Sequence, residues 1–389
     1  MKKTAAFINL IFLLVMLTGC WNRRELNTLS IVQAFGIDRT EDNRISFTAQ
    51  ILIPGEIRTP GGKEGGGGGK AVWVVTSTGK TVFEAIRNAT FEADRKLYFP
   101  HNKIIVIGEK AAKSGIAPLL DFYDRDPEGR LRPFMFIARG SAKDILEAEH
   151  GQERIPAKAI ENLAKGTFAT SKIPKVELFD ILKIFAGKTS APFIPGIKTV
   201  EHKENEKIKK MVKLDETAIF KKDKLIGWFD GEETRGLLWV LGKVKSGIIV
   251  VKSPKEEDKN VSLEIIRASS KVKPEIEDGN ITITVEIKME GNLGEQMSKV
   301  DLTKPDTFKE LEIRLAVAIR EEINAALDKA LKEWGTDIFK FGEEVHRKYP
   351  KEWKELEEKW DEECKNIDVK VEVEAKLRRV GMITKTIRR

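Results

Sequence analysis

The longest uncharged apolar run of this 389-residue chain, Ala5 to Leu17, is broken only by Asn9 and spans about 13 residues, short of the roughly 20 that a membrane-spanning helix needs. No later stretch comes closer, so everything beyond it has to fold around cores of its own. Lys2 and Lys3 precede the run and Leu17-Thr18-Gly19-Cys20 closes it. A positive head, an apolar middle and a small-residue end are the parts of an export signal.

Cys20 makes that reading more specific. Leu-Thr-Gly-Cys matches the bacterial lipoprotein cleavage box: small residues before the cut let the backbone enter a peptidase, and the thiol at the new N-terminus can take a diacylglyceryl group as a thioether, followed by N-acylation. At about 0.8 kcal/mol per buried CH2, two or more acyl chains anchor stably where one does not. The sequence predicts loss of residues 1–19, lipid at Cys20, and a mature chain on the outer face of a cytoplasmic membrane. The second cysteine, Cys364, is then left without a partner and reads as a lone thiol near a helix end.

Composition excludes more than it identifies. Hydrophobic residues make up 41%, enough for real cores. Lys+Arg 68 against Asp+Glu 61 is too small a surplus to mark a nucleic-acid binder. His101, His150, His202 and His346 are scattered, with no HExxH and no Cys/His pair at ligand spacing, so neither a metal nor a cofactor is implied.

The mature chain reads as mixed α+β, with several small mixed sheets and packed helices. Strands are predicted at 29–37 and 45–53, then the glycine-rich stretch 55–70, then a strand at 71–76 in the same domain. A helix over 81–96, a buried strand at 103–107, a helix at 116–123 and a strand at 133–138 suggest a parallel crossover unit. Ser141 to Asp144 is a weak capping box opening another helix. A boundary is placed near Ser190–Gly196, giving regions 20–196 and 197–389. The second region opens with a hairpin (208–220, 225–229) and continues with strands at 261–265 and 281–289, where Asp278-Gly279 supplies a tight turn. Thr307 and Glu310 read as a capping box for a long helix. Its stripe of Leu311, Leu315, Ile319, Ile323, Leu327, Leu331 and Trp334 should face a core. Trp353, Leu356 and Trp360 share a second helix, and 367–377 alternates as a half-solvated antiparallel strand does.

Catalytic signatures do not emerge: there is no GxSxG, no P-loop, and no GxGxxG after a strand. The acids Asp121, Asp124, Asp126 and Glu128 read as a solvated or salt-bridged face rather than a glycosidase dyad. The most site-like motif is Gly231-Glu232-Glu233-Thr234-Arg235-Gly236. Glu232, Glu233 and Arg235 form a candidate interaction site there, although Glu232 and Arg235 also suit an ordinary i,i+3 helix pair.

Several segments together resemble one family. Cys20-Trp-Asn-Arg-Arg-Glu25 after the cleavage box, Gly36-Ile-Asp38, Arg95-Lys-Leu-Tyr98 through His101-Asn-Lys103 to Gly108-Glu109, Leu120 to Asp126, Phe229 to Trp239, and Asp337–Pro350 with Trp353 and Trp360 are similar, in order, to the spore-germination receptor C-subunit lipoproteins, the Ger(x)C family. Asn22 and Pro100 depart from its usual residues, and the glycine-rich stretch is extra. The resemblance implies a three-domain fold and a non-enzymatic lipoprotein subunit of a germinant receptor, tethered to the spore inner membrane beside integral-membrane A and B subunits and needed for assembly or signalling. Of the family's residues only Cys20 carries over, as the lipid-bearing one. Two other classes share the anchor: a solute-binding lipoprotein of an importer, which would show two doubly wound lobes, and a lipid-anchored cell-wall hydrolase, which would need a nucleophile or metal constellation.

Overall fold

A computed structural model describes residues 3–5, 7, 9, 25–56, 70–125, 128–150, 152–187, 189–204 and 207–379. Cys20, with the rest of the leader, and residues 57–69 of the glycine-rich stretch lie outside the described residues.

Among the described residues, thirteen strands are arranged in two mixed sheets with helices packed on them. The first holds nine: β1 (Leu29–Arg39), β2 (Ile45–Leu52), β3 (Val72–Gly79), β4 (Lys96–Tyr98), β5 (Ile104–Ile107), β6 (Phe134–Ala138), β7 (Phe193–Glu204), β8 (Lys207–Lys221) and β9 (Lys224–Phe229), in the order β3-β2-β1-β5-β6-β7-β8-β9, with β4 also on β1. β1, β5, β6 and β7 run parallel, and hairpins close both flanks. Composition explains the division. Every residue of β5 and β6 is buried, and their unbroken Ile/Val and Phe/Met/Ile runs suit a parallel core covered on both faces. The helices Glu109–Ser114 and Ala117–Arg125 make the crossover expected between them. β2 and β3 pair with each other, so the glycine-rich stretch joins neighbours of one sheet, as expected.

The second sheet is β10 (Gly247–Lys252), β11 (Asn260–Glu277), β12 (Asn280–Gln296) and β13 (Asp368–Arg379), in that order. Asp278 and Gly279 both have positive φ (49° and 81°), the geometry of a two-residue turn between strands of right-handed twist. The long helix Pro305–Leu327 covers this sheet. Leu311, Leu315, Ile319, Ile323, Leu327 and Leu331 of its stripe are buried, and Trp334 is half-buried against Phe229 with ring centroids 5.7 Å apart. After Leu327 the helix widens into a π turn, Asp328–Glu333.

Position 196/197 lies inside β7, and the first sheet continues through it to Phe229, with a register shift between Pro195 and Ile197. Four expectations are corrected. β13 pairs parallel to β12. Alternation reports one dry and one wet face and is blind to direction, while the helical stretch between β12 and β13 is long enough for a parallel crossover. The long helix begins at Pro305 with Lys304 as N-cap and no side-chain cap. Proline's fixed φ suits the first helical position, so Thr307 falls inside the first turn and its hydroxyl donates to the carbonyls of Asp301 and Lys304. The helix expected over 81–96 stops at Asn88, and Lys96–Tyr98 becomes β4. Glu232 and Arg235 do not pair with each other, for reasons given below.

Candidate functional site

The Gly231 motif is a helix start. Asp230 caps the Gly231–Val240 helix, its Oδ1 accepting from the backbone N–H of Glu232 (2.8 Å) and Glu233 (2.9 Å), while Glu233 Oε2 accepts from the N–H of Asp230 (2.8 Å). The reciprocal pair satisfies backbone donors that a helix otherwise leaves open. Glu233 is also held by Lys329 Nζ (2.7 Å) from the π turn, and the same ammonium donates to the Trp228 carbonyl (3.0 Å). Glu232 stands exposed, 3.8 Å from Lys172.

Arg235 turns inward. Its Nε donates to Glu322 Oε2 (2.9 Å), its Nη2 to Glu322 Oε1, and its Nη1 to the Ile248 carbonyl (3.0 Å); Trp239 Nε1 donates to Glu322 Oε2 (3.0 Å). The two charged side chains are 4% and 10% exposed. An ion pair so far from water holds only where remaining donors and acceptors are matched, and here a backbone carbonyl and an indole complete the set. Gly236 completes the crossing: a Cβ at that position would run into the Glu322 carbonyl and the Ala326 side chain, so glycine sets how closely the two helices approach. Thr234 and Thr217 share a hydroxyl hydrogen bond of 2.8 Å beneath.

A second buried charge organises the chain end. Asp337 accepts from the backbone N–H groups of Phe339 (2.9 Å), Phe341 (3.2 Å) and Gly342 (2.8 Å) and from Trp360 Nε1 (3.1 Å). Burial nonetheless pushes its carboxyl above the usual range, because desolvation outweighs those bonds. Gly342 lets the Thr189 carbonyl and the Trp360 indole close over the turn, and Trp353 stacks on His346 (5.6 Å) and meets Trp360 edge-on (5.1 Å). Cys364 follows the last short helix, fully buried, its thiol pushed up to about 12 by desolvation and then by Asp337 and Asp361. A protonated, enclosed thiol is chemically inert.

A cavity of about 430 Å³ opens beside this knot, walled by Phe185, Ala191, Lys222, Asp223, Trp360 and Asp361. In the first sheet Asp38 caps the Ala142–Glu147 helix from across the fold, accepting from the N–H of Ala142 (2.8 Å) and Lys143 (3.0 Å) and from the Ser141 hydroxyl (3.2 Å). Burial raises its carboxyl as well. The Asp121 carboxylate faces Arg125 and Glu128 faces Lys96, the salt-bridged face expected, while Asp126 lies outside the described residues.

The structure therefore does not gather Glu232, Glu233 and Arg235 into one site: Glu232 faces out, Glu233 goes to Lys329 and Arg235 to Glu322. Sequence reading missed Glu322 altogether and gave Asp38 and Asp337 no role beyond their place in family segments. Glu322 had left a signal, an acid on the flank of an otherwise apolar helix stripe. Among the described residues no group of three or more His, Cys, Asp or Glu could hold a metal ion, and no helix is long and apolar enough to cross a membrane. What the arrangement does chemically is hold shape: its buried charges are matched by other buried groups.

Comparison with known proteins fits this picture. Residues 22–199 match the family described as spore germination protein N-terminal domain, and residues 215–381 match spore germination B3/GerAC like, C-terminal. The chain is 30% identical to spore germination protein KC of Bacillus subtilis (strain 168), covering 98% of this chain and 97% of that one. It is 26% identical to spore germination protein B3 of the same organism, over 99% of this chain and all of the other. A crystal structure of the GerBC protein superposes with a TM-score of 0.57 at 22% identity, covering 88% of this chain and 96% of that one, which establishes the shared fold.

Proposed function

We propose, for a chain that belongs to the family of GerAC-like spore germination proteins, that it is the lipid-anchored, non-enzymatic subunit of a spore germinant receptor, needed for the receptor's assembly or signalling. The observation that carries this is the collinearity of the family segments with the structural supports of the fold. Asp38 caps a helix, Tyr123 stacks on Phe35 (5.7 Å), Asp230 to Trp239 forms the buried helix crossing, and Asp337 to Trp360 forms the terminal knot. Residues that hold shape along the whole chain suit a docking subunit, whose work is done by surfaces, better than an enzyme, whose work needs groups left free to react. The two sheets also differ in strand order and direction, unlike the paired lobes of a solute-binding lipoprotein. Germinant sensing then falls mainly to integral-membrane A and B subunits, and this chain sits on the outer face of the spore inner membrane through acylated Cys20.

The test is Cys20→Ala in spores. The variant should be lost from the inner membrane fraction, and germination with the cognate germinant should fail; normal membrane retention removes the anchor. Separately, the wild-type chain extracted in mild detergent should bring integral-membrane subunits with it, and its recovery alone removes the receptor assignment.

A further inference from the structure

The first described residues place one end of the fold beside whatever holds Cys20. Glu25 is five residues from Cys20, and an extended chain reaches at most about 3.6 Å per residue, so Glu25, four residues ahead of β1, lies within about 18 Å of the acylated residue. The neighbours of the entry to β1 can be followed contact by contact. Leu29 pairs with Lys96 of β4; Lys96 Nζ binds Glu128 Oε1 at 2.6 Å; the segment after Glu128 leads through Leu131 into β6, and the Leu131 carbonyl accepts from the N–H of Phe179 (2.9 Å). β1, β5 and β6 are parallel, so all of these lie at the same end of the sheet.

That rim carries apolar side chains turned to solvent: Phe91 is 88% exposed, Phe179 53% and Leu131 37%. Arg130 and Arg132 flank Leu131 in the chain, both exposed and neither ion-paired with a described residue. The nearby acids are mostly engaged: Asp94 lies 4.0 Å from Arg95, Glu128 is bound by Lys96, Glu177 lies 3.9 Å from Lys175, and Asp180 accepts from the Glu177 N–H. Glu92 is left exposed. In sequence, Trp21, Arg23 and Arg24 follow Cys20 directly. Aromatic and aliphatic tips interleaved with arginine, beside an acyl anchor, suit an interface of anionic headgroups. The opposite end offers a contrast: the β7–β8 arm extends the far side of the sheet, with Lys203 exposed near its tip.

We propose that the rim formed by Phe91, Arg130, Leu131, Arg132 and Phe179 rests on the anionic lipid surface, fixing the orientation of the anchored protein so that the β7–β8 arm projects away from the membrane. The inference rests on the acylation of Cys20, and its test separates the two. Full-length acylated protein carrying Phe91→Cys, Leu131→Cys or Lys203→Cys is labelled with a thiol-reactive fluorophore and reconstituted into vesicles of phosphatidylcholine and phosphatidylglycerol containing a nitroxide lipid. Cys20 is blocked by its lipid and Cys364 is buried. Flotation of the vesicles reports the anchor alone. Labels at 91 and 131 should be quenched far more than a label at 203, and equal quenching at all three sites in floating protein overturns the proposal while leaving the anchor intact. Adding Arg130→Glu and Arg132→Glu should lower the ratio of docked to undocked rim about 30-fold, from roughly a fivefold effect per arginine, with flotation unchanged. Undiminished quenching in that variant counts against the lipid contact. So does shielding of the rim that appears only when receptor subunits are co-reconstituted, which assigns the face to a protein.

Discussion

Glu322→Ala is the sharpest probe of the buried crossing between the Gly231–Val240 and Pro305–Leu327 helices. The change removes both acceptors of the Arg235 guanidinium and the acceptor of the Trp239 indole, leaving Arg235 with the Ile248 carbonyl alone at a site where its side chain is 4% exposed. Breaking a buried pair from one side costs about 3–5 kcal/mol, and stranding the indole N–H adds about 1–3 kcal/mol. A loss of roughly 4–8 kcal/mol follows if the two terms add, a large part of the stability of a typical domain. Arg235→Met with Glu322→Leu removes both charges and keeps most of the volume, so the double variant should be more stable than Glu322→Ala, with a coupling energy of about 2 kcal/mol or more. Urea unfolding of the mature chain, followed by far-ultraviolet circular dichroism with the m-value checked for constancy, measures all of these. A loss under about 1 kcal/mol for Glu322→Ala, or simple additivity in the cycle, would refute the claim that this pair is desolvated and mutually dependent.

Gly236→Ala should destabilise by about 1–3 kcal/mol through overpacking against the Glu322 backbone, read by the same urea titration. Asp38→Ala should cost about 1 kcal/mol as a lost cap and loosen the Ala142–Glu147 helix, seen as faster amide exchange at Ala142 and Lys143. Glu290, gripped by Arg378 and Arg267 on the neighbouring strands, titrates at about 2. Its folded pKa is depressed, so its contribution is complete above the usual carboxylate range and disappears as pH falls toward 2; Glu290→Gln should flatten stability against pH in that window, and carboxyl NMR should find the low value. Native protein should leave Cys364 unmodified by alkylating reagents at neutral pH until urea opens the fold.

How far sequence carries can be read from particular residues. β5 and β6 were legible because a run buried on both faces needs nothing but apolar residues, and the long helix because its stripe repeats over many turns. β4 and β10 were not. β4 is a three-residue pairing made by tertiary contact with β1, and β10 alternates Ile and Val outward as well as inward, so period two is hidden in its composition. Strand direction was invisible for β13, since hydropathy carries no arrow. The Gly231 motif was found, but its meaning depended on Glu322, which lies 87 positions from Arg235. Asp38 similarly caps a helix 104 positions away from it. Charges meeting at such separations leave no local period, only an acid in an apolar stripe or a glycine beside a cap.

The placement of β13 sets a schedule. It closes the exposed edge of β12 along nearly its whole length, and its Leu377 N–H is received by Glu312 of the long helix (2.9 Å), so the second sheet is completed only by a strand synthesised after the whole long helix. Until it arrives, the long β11–β12 hairpin offers an unpaired rail to any other extended chain. A chain cut short at Asn366 would lack β13, leave that rail open, and become a template for aggregation.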